Sequence, residues 1–225
     1  MNKLQNLFLD KEKFKDLILS RSFYERDTSI VAQELLNKIL ITVTRVKNAD
    51  LTEVEVGICA GKIVEAEAYY GLNDPASHAC NGITPRSKIM FETSGIAYVY
   101  FCYGNHYLLN AVTEKFGTAG AVLIRSIEPL EGINLMFARR KVMTFENLTN
   151  GPGKLTKAFG IEKSYNGRDL TSLESGIFII DGAKSGLYSK LNKEDIIRTT
   201  RIGIKNGSER LLRFYIKNNK FVSKK

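Results

Sequence analysis

The sequence predicts an α+β fold: one domain spanning 1–225, built on a curved, mostly antiparallel β-sheet flanked by helices, with one protruding β-hairpin. Three observations carry this expectation. Helical patterns cluster between groups of strands rather than alternating with them, which is the order of an α+β chain. A chain of 225 residues fits a single domain and can bury a core without staples. A tyrosine-rich stretch around Gly104-Asn105 carries hairpin turn chemistry.

Residues 28–40, TSIVAQELLNKIL, read as a helix capped by Thr28 or Ser29, with apolar positions at Val31, Leu35 and Ile39. Residues 39–46 and 54–59 read as strands, and Ala60-Gly61 as the turn into a third, GKIVEAEAYY. Alternation along that third strand puts Val64, Ala66 and Ala68 on one face and Glu65, Glu67 and Tyr69 on the other. Two carboxylates and a ring on one face are either a solvated surface or a site, and alternation alone does not choose.

Residues 95–112 form the hairpin, holding Tyr98, Tyr100, Tyr103 and Tyr107, with Tyr103 at or beside its tip. A large ring at an exposed tip gains little from the protein's own core. Residues 121–127, AVLIRSI, read as a buried strand with one charge, Arg125, and an arginine in an apolar run has a partner or a task. Pro129 is placed to open the next helix, which ends near Arg139-Arg140. Pro152 begins another, with Gly160 as its C-terminal stop. The runs IFIID, IIRTTRIGI, LLRFYI and KFVS read as antiparallel strands.

Lysine plus arginine number 33 against 24 aspartates and glutamates, a formal net charge of +9. That excess favours a polyanion partner, because each phosphate neutralised releases condensed counterions. No apolar run reaches the roughly 18 residues of a membrane span, so no membrane association is expected. The N-terminal stretch is broken by charges and lacks a signal-peptide core, which points to a cytoplasmic protein. Cys59, Cys80 and Cys102 are odd in number and widely spaced, as reduced thiols would be. His78 and Cys80 have no paired ligands at metal spacing, so no metal is expected. The absence of a GxGxxG or P-loop argues for no nucleotide cofactor, and the absence of a nucleophile elbow against a serine hydrolase.

VEAEAYYG at 64–71, His78, TPR at 84–86, MF at 90–91, YVYFCYG at 98–104, Asn110, LIRSIEPLEG at 123–132, NGPGKLTKAFGI at 150–161, then RIGI and LRFY occur in one order. With these motifs the chain resembles the alkyladenine (3-methyladenine) DNA glycosylases of the vertebrate type, which also occur in bacteria. The similarity runs from about residue 20 to 223 and departs at Leu211, where a proline is common.

The resemblance implies a monofunctional glycosylase of base excision repair. It would excise alkylated or deaminated purines (the 3-methyladenine, 7-methylguanine and hypoxanthine class) from double-stranded DNA, as a monomer without cofactor. It implies Glu67 as the general base, Arg125 as its partner, and Tyr69, His78 and Tyr100 as walls around an extruded base. Asn110 would disfavour normal guanine, and Tyr103 would be the wedge that fills the gap in the duplex. Arg86, Lys88 and Arg140 are the candidate phosphate contacts. Aromatic walls are expected to favour cationic alkylated purines, since ring faces attract cations. Two other readings fit parts of the pattern: a carbohydrate glycosidase using Glu65 and Glu67 as its carboxylate pair, and a lesion-binding protein without catalysis.

Overall fold

The computed structural model describes residues 14–47, 54–102 and 104–224. Tyr103 falls outside the described residues. Along the chain run α1 (Arg21–Tyr24), α2 (Thr28–Leu35), β1 (Ile39–Lys47), β2 (Val54–Tyr70), β3 (Ala97–Cys102), β4 (His106–Val112) and β5 (Gly120–Glu131). These are followed by α3 (Ile133–Arg140), α4 (Pro152–Phe159), β6 (Ile177–Ile180), β7 (Ile196–Thr199) and β8 (Arg213–Ile216). The strands form one open eight-stranded sheet in the order β3-β4-β5-β2-β1-β6, with β8 joined to β2 and β7 to β8. Every strand pairing is antiparallel. The α+β expectation holds, and no helix among the described residues is long and apolar enough to cross a membrane.

The 17-residue β2 is the spine. Its residues 60–70 pair with β5 along one edge, while 54–62 pair with β1 and 65–67 with β8 along the other. The Ala60-Gly61 turn expected from sequence is therefore not a turn: the strand runs straight through it. Gly61 is there for proximity, since a Cβ would lie 2.2 Å from Ile127 Cγ2 and 2.9 Å from the Glu128 carbonyl. Pro129 faces Gly61 inside β5 rather than opening a helix, next to a register shift where a missing N–H is tolerated. The helix that follows starts at Ile133.

Two other boundaries move. Helix α2 ends at Leu35, because Asn37 turns to a left-handed φ of 67° and Ile39 already belongs to β1. Its cap is Asp27, whose carboxylate accepts from the N–H groups of Ser29 (3.0 Å) and Ile30 (3.1 Å). Near the C-terminus only 196–199 and 213–216 are strands of the runs read there, so RIGI is a loop and KFVS is not a strand.

The core lies on the face of β2 that carries Ile63, Ala66 and Ala68, packed against Val31, Ala32 and Leu35 of α2 and Leu155, Ala158 and Phe159 of α4. Register shifts on either side of Glu65 change the parity of the strand, so Ile63 rather than Val64 joins Ala66 and Ala68 in that cluster. Helix α4 also braces the hairpin: Thr156 Oγ1 donates to the Tyr107 carbonyl at 2.7 Å, and a Cβ on Gly153 would sit 2.7 Å from the His106 ring. That contact, and Gly160 at a φ of 69° closing the helix, explain two of the three glycines of the 150–161 motif.

Candidate active site

On its polar face β2 buries Glu65 and Glu67 completely, beside Arg125 from β5. Glu65 accepts from Arg125 Nε (3.0 Å), Arg213 Nε (2.7 Å), Ser126 Oγ (2.9 Å), and the Ser223 N–H (2.7 Å) and hydroxyl (2.9 Å). Burial alone would raise its pKa. Arg125, the Ser223 amide and Arg213 outweigh it, and hold this carboxyl below its usual range. Glu67 takes fewer donors: Tyr69 Oη at 2.8 Å and Arg125 Nη1 at 3.2 Å on Oε2, and the Ile202 N–H at 2.7 Å on Oε1. A carboxylate offers about four lone-pair positions, so one remains open at Glu67 and none at Glu65.

A cavity of about 310 Å³ lies beside this cluster, within the roughly 300–1,000 Å³ range of small-ligand clefts. Tyr69, His78, Tyr98, Tyr100, Asn110 and Arg125 all line it. Five of these were singled out from sequence, and the structure brings them together. Glu67 stands behind Tyr69 and Arg125. The ring of His78 meets Tyr100 edge to face at 4.6 Å, and its Nδ1 lies 2.8 Å from Tyr98 Oη. Burial, with the charge of Arg86, pushes the His78 pKa down to about 4, so the imidazole is neutral at physiological pH. Burial, then the adjacent Glu67 carboxylate, keeps the Tyr69 phenol protonated, as a donor to that carboxylate must be. Asn110 Nδ2 donates to the Tyr98 carbonyl at 3.0 Å and so ties β4 to β3 beneath the rings.

Sequence reasoning missed the loop after β7. Ile202, Gly203 and Ile204 line the cavity, and the Ile202 N–H orients Glu67. The loop is anchored by Arg201, which pairs with Asp74 through bonds of 2.6 and 2.7 Å and donates to the Ala68 carbonyl at 3.0 Å, with both charged side chains fully buried. The RIGI motif marked the segment, but a backbone donor has no side-chain signature. Of the surface cations, Arg86 and Lys88 are exposed along a second groove outside Tyr100. Arg140 donates to the Leu148 and Asn147 carbonyls, leaving part of its guanidinium free. Among the described residues no three of His, Cys, Asp and Glu come together as metal ligands, and all three cysteines are free.

The family model for methylpurine-DNA glycosylase matches residues 22–220, nearly the whole described chain. The chain belongs to this family. Its relatives include proteins named for 3-methyladenine DNA glycosylase activity. The one from Carboxydothermus hydrogenoformans is 44% identical over 93% of this chain and 100% of its own length. That from Prosthecochloris aestuarii is 44% identical over 91% and 90%, and that from Methanoculleus marisnigri 41% over 93% and 100%. Membership makes this protein a DNA glycosylase, a hydrolase of N-glycosyl bonds with DNA as its substrate.

Proposed function

We propose that this glycosylase extrudes a damaged purine from duplex DNA into the cavity and hydrolyses its glycosidic bond with a water held by Glu67. The observation that carries the reading is the unfilled lone-pair position of a fully buried carboxylate set against an aromatic-walled cavity. The water oxygen bonds to C1′ of the sugar as the C1′–N bond breaks. The bond electrons leave with the purine, and Glu67 takes the water's proton. The same carboxylate stabilises the positive charge that develops on the sugar. Arg125 and the Ile202 N–H hold its oxygens in place. Glu65 cannot share this work, because all its acceptor positions are engaged, which removes the paired-carboxylate glycosidase reading.

A base in the stack hides its glycosidic bond, so the nucleotide has to be flipped out, at a cost of a few kcal/mol that is lower for damaged or mismatched bases. Tyr69, His78 and Tyr100 supply replacement stacking, worth about 1–3 kcal/mol per base. Tyr103, which the sequence puts in the Tyr103-Gly104-Asn105 turn segment, is assigned as the wedge in the vacated stack. Asn110, which lines the cavity, is assigned to disfavour normal guanine. Exposed Arg86 and Lys88, with the free part of Arg140, meet phosphates. The substrates in this reading are alkylated and deaminated purines, and the enzyme works as a monomer and leaves an abasic site uncut. Incubation with duplexes each carrying one such lesion, followed by alkaline cleavage, should cut at the lesion only after enzyme treatment. Lesion-dependent binding without alkali-labile sites would leave a binding protein instead.

A further inference from the structure

Two of the aromatic walls of the cavity, Tyr69 and Tyr100, have a guanidinium against the ring. The Arg201 guanidinium carbon lies 4.6 Å from the centre of the Tyr69 ring, and that of Arg86 lies 4.9 Å from the Tyr100 ring. Tyr69 and Tyr100 line the cavity, whereas neither arginine does. Tyr100 also lines the neighbouring groove of about 750 Å³, and Arg86 stands in that groove. The ring is thus a partition, with a cation on one face and the space for a base on the other.

A ring attracts cations through the electron density of its faces. A guanidinium on one face already draws on that density and repels a second cation through the ring. The arrangement therefore works against the simple expectation that aromatic walls favour cationic bases. Arg201 is matched by Asp74, and Arg125 by Glu65 and Glu67, but Arg86 makes no salt bridge among the described residues. Arg86 also acts on His78: with burial, its charge helps keep that imidazole neutral.

We propose that Arg86 is a specificity-determining residue that biases the cavity toward neutral damaged purines over purines carrying a fixed positive charge. The inference rests on the glycosylase reading and names which class of lesion the Tyr100 wall favours. It reaches beyond a phosphate contact, because losing a phosphate contact weakens binding to all lesions alike.

The test uses the full-length enzyme and two duplexes of identical sequence, one with hypoxanthine (neutral) and one with 7-methylguanine (cationic). Single-turnover excision is measured at pH 7.5, with spontaneous base loss subtracted, for wild type, Arg86→Gln and Arg86→Lys. In Arg86→Gln the 7-methylguanine to hypoxanthine rate ratio should rise about two- to fivefold, the size of an exposed cation–π contact. Arg86→Lys, which keeps the charge, should stay nearer to wild type. An unchanged or lowered ratio in Arg86→Gln, whatever happens to the two rates, would overturn the assignment. If wild type releases neither base, the glycosylase reading fails, and the same ratio taken from equilibrium affinities for the two duplexes still decides the role of Arg86.

Discussion

Glu65 and Glu67 stand two positions apart on one face of β2, equally buried, and share Arg125 as a partner. Their surroundings divide them. The Glu65 end is closed: two arginines and two serines fill the carboxylate, and Arg213 Nη2 reaches on to the Lys224 carbonyl, so the C-terminal segment is fastened to the sheet there. The Glu67 end is open by one position, and its three donors, Tyr69, Arg125 and Ile202, all line the cavity. Identical side chains on one strand face thus have different surroundings, and in the proposed mechanism the saturated carboxylate is a structural fixture and the unsaturated one the reagent.

The largest effect that follows from this contrast is on folding. Glu65→Ala would leave Arg125 and Arg213 buried without their main partner, a change that costs about 3–5 kcal/mol when one member of a buried pair is removed. Chemical denaturation should show that loss, and a variant as stable as wild type would erase the distinction between the two ends. Tyr103→Ser should act in the opposite sense. Its melting temperature should stay close to that of wild type, while single-turnover excision falls by a factor set by about 1–3 kcal/mol of lost stacking. The loss should shrink on a mispaired lesion, where less flipping energy has to be offset. Equal losses on paired and mispaired lesions, with a large drop in melting temperature, would make Tyr103 a packing residue.

A smaller effect concerns pH. The folded His78 has a pKa of about 4 against an ordinary 6.5, because burial and then Arg86 disfavour its charged form. The unfolded chain therefore binds a proton between those values that the folded chain does not. The stability tied to neutral His78 is present above pH 6.5 and is lost as pH falls toward 4. Melting curves from pH 7 to 4.5 should fall more steeply for wild type than for His78→Gln, and parallel curves would show that His78 titrates freely. The smallest expected change is in Lys88→Ala, which should lower the salt dependence of duplex binding by roughly one unit for all sequences alike. An unchanged slope would remove Lys88 from the phosphate contacts.

Much of the site was legible because it is made of side chains of distinctive type at fixed spacing. Period-2 alternation put Glu65, Glu67 and Tyr69 on one face, the hairpin turn grouped the tyrosines, and Arg125 stood out in an apolar run. The different hydrogen bonding of the two glutamates was not legible, because it depends on Arg213 and Ser223, far along the chain, and on the backbone N–H of Ile202. Gly61 and Pro129 were misread for a related reason. Both residue types mark turns in isolation, and only the close crossing of β2 and β5 shows them as paired strand positions. The cap at Asp27 and the end of α2 at Leu35 lie within the usual uncertainty of helix ends, since Asn37 offers a left-handed stop that the apolar period of Ile39 masked.

The central claim is that Glu67 is the base and Glu65 is not. The most direct measurement is single-turnover excision of hypoxanthine from a duplex by wild type, Glu67→Gln and Glu65→Gln, with each protein's duplex affinity and melting temperature determined alongside. Glu67→Gln should bind the duplex and melt like wild type while excision falls by at least about a hundredfold, the lower end for a general base. Glu65→Gln should melt earlier, and its folded fraction should excise within about tenfold of wild type. Excision by Glu67→Gln within tenfold of wild type, or a greater loss in Glu65→Gln at equal folded fraction, would contradict the claim.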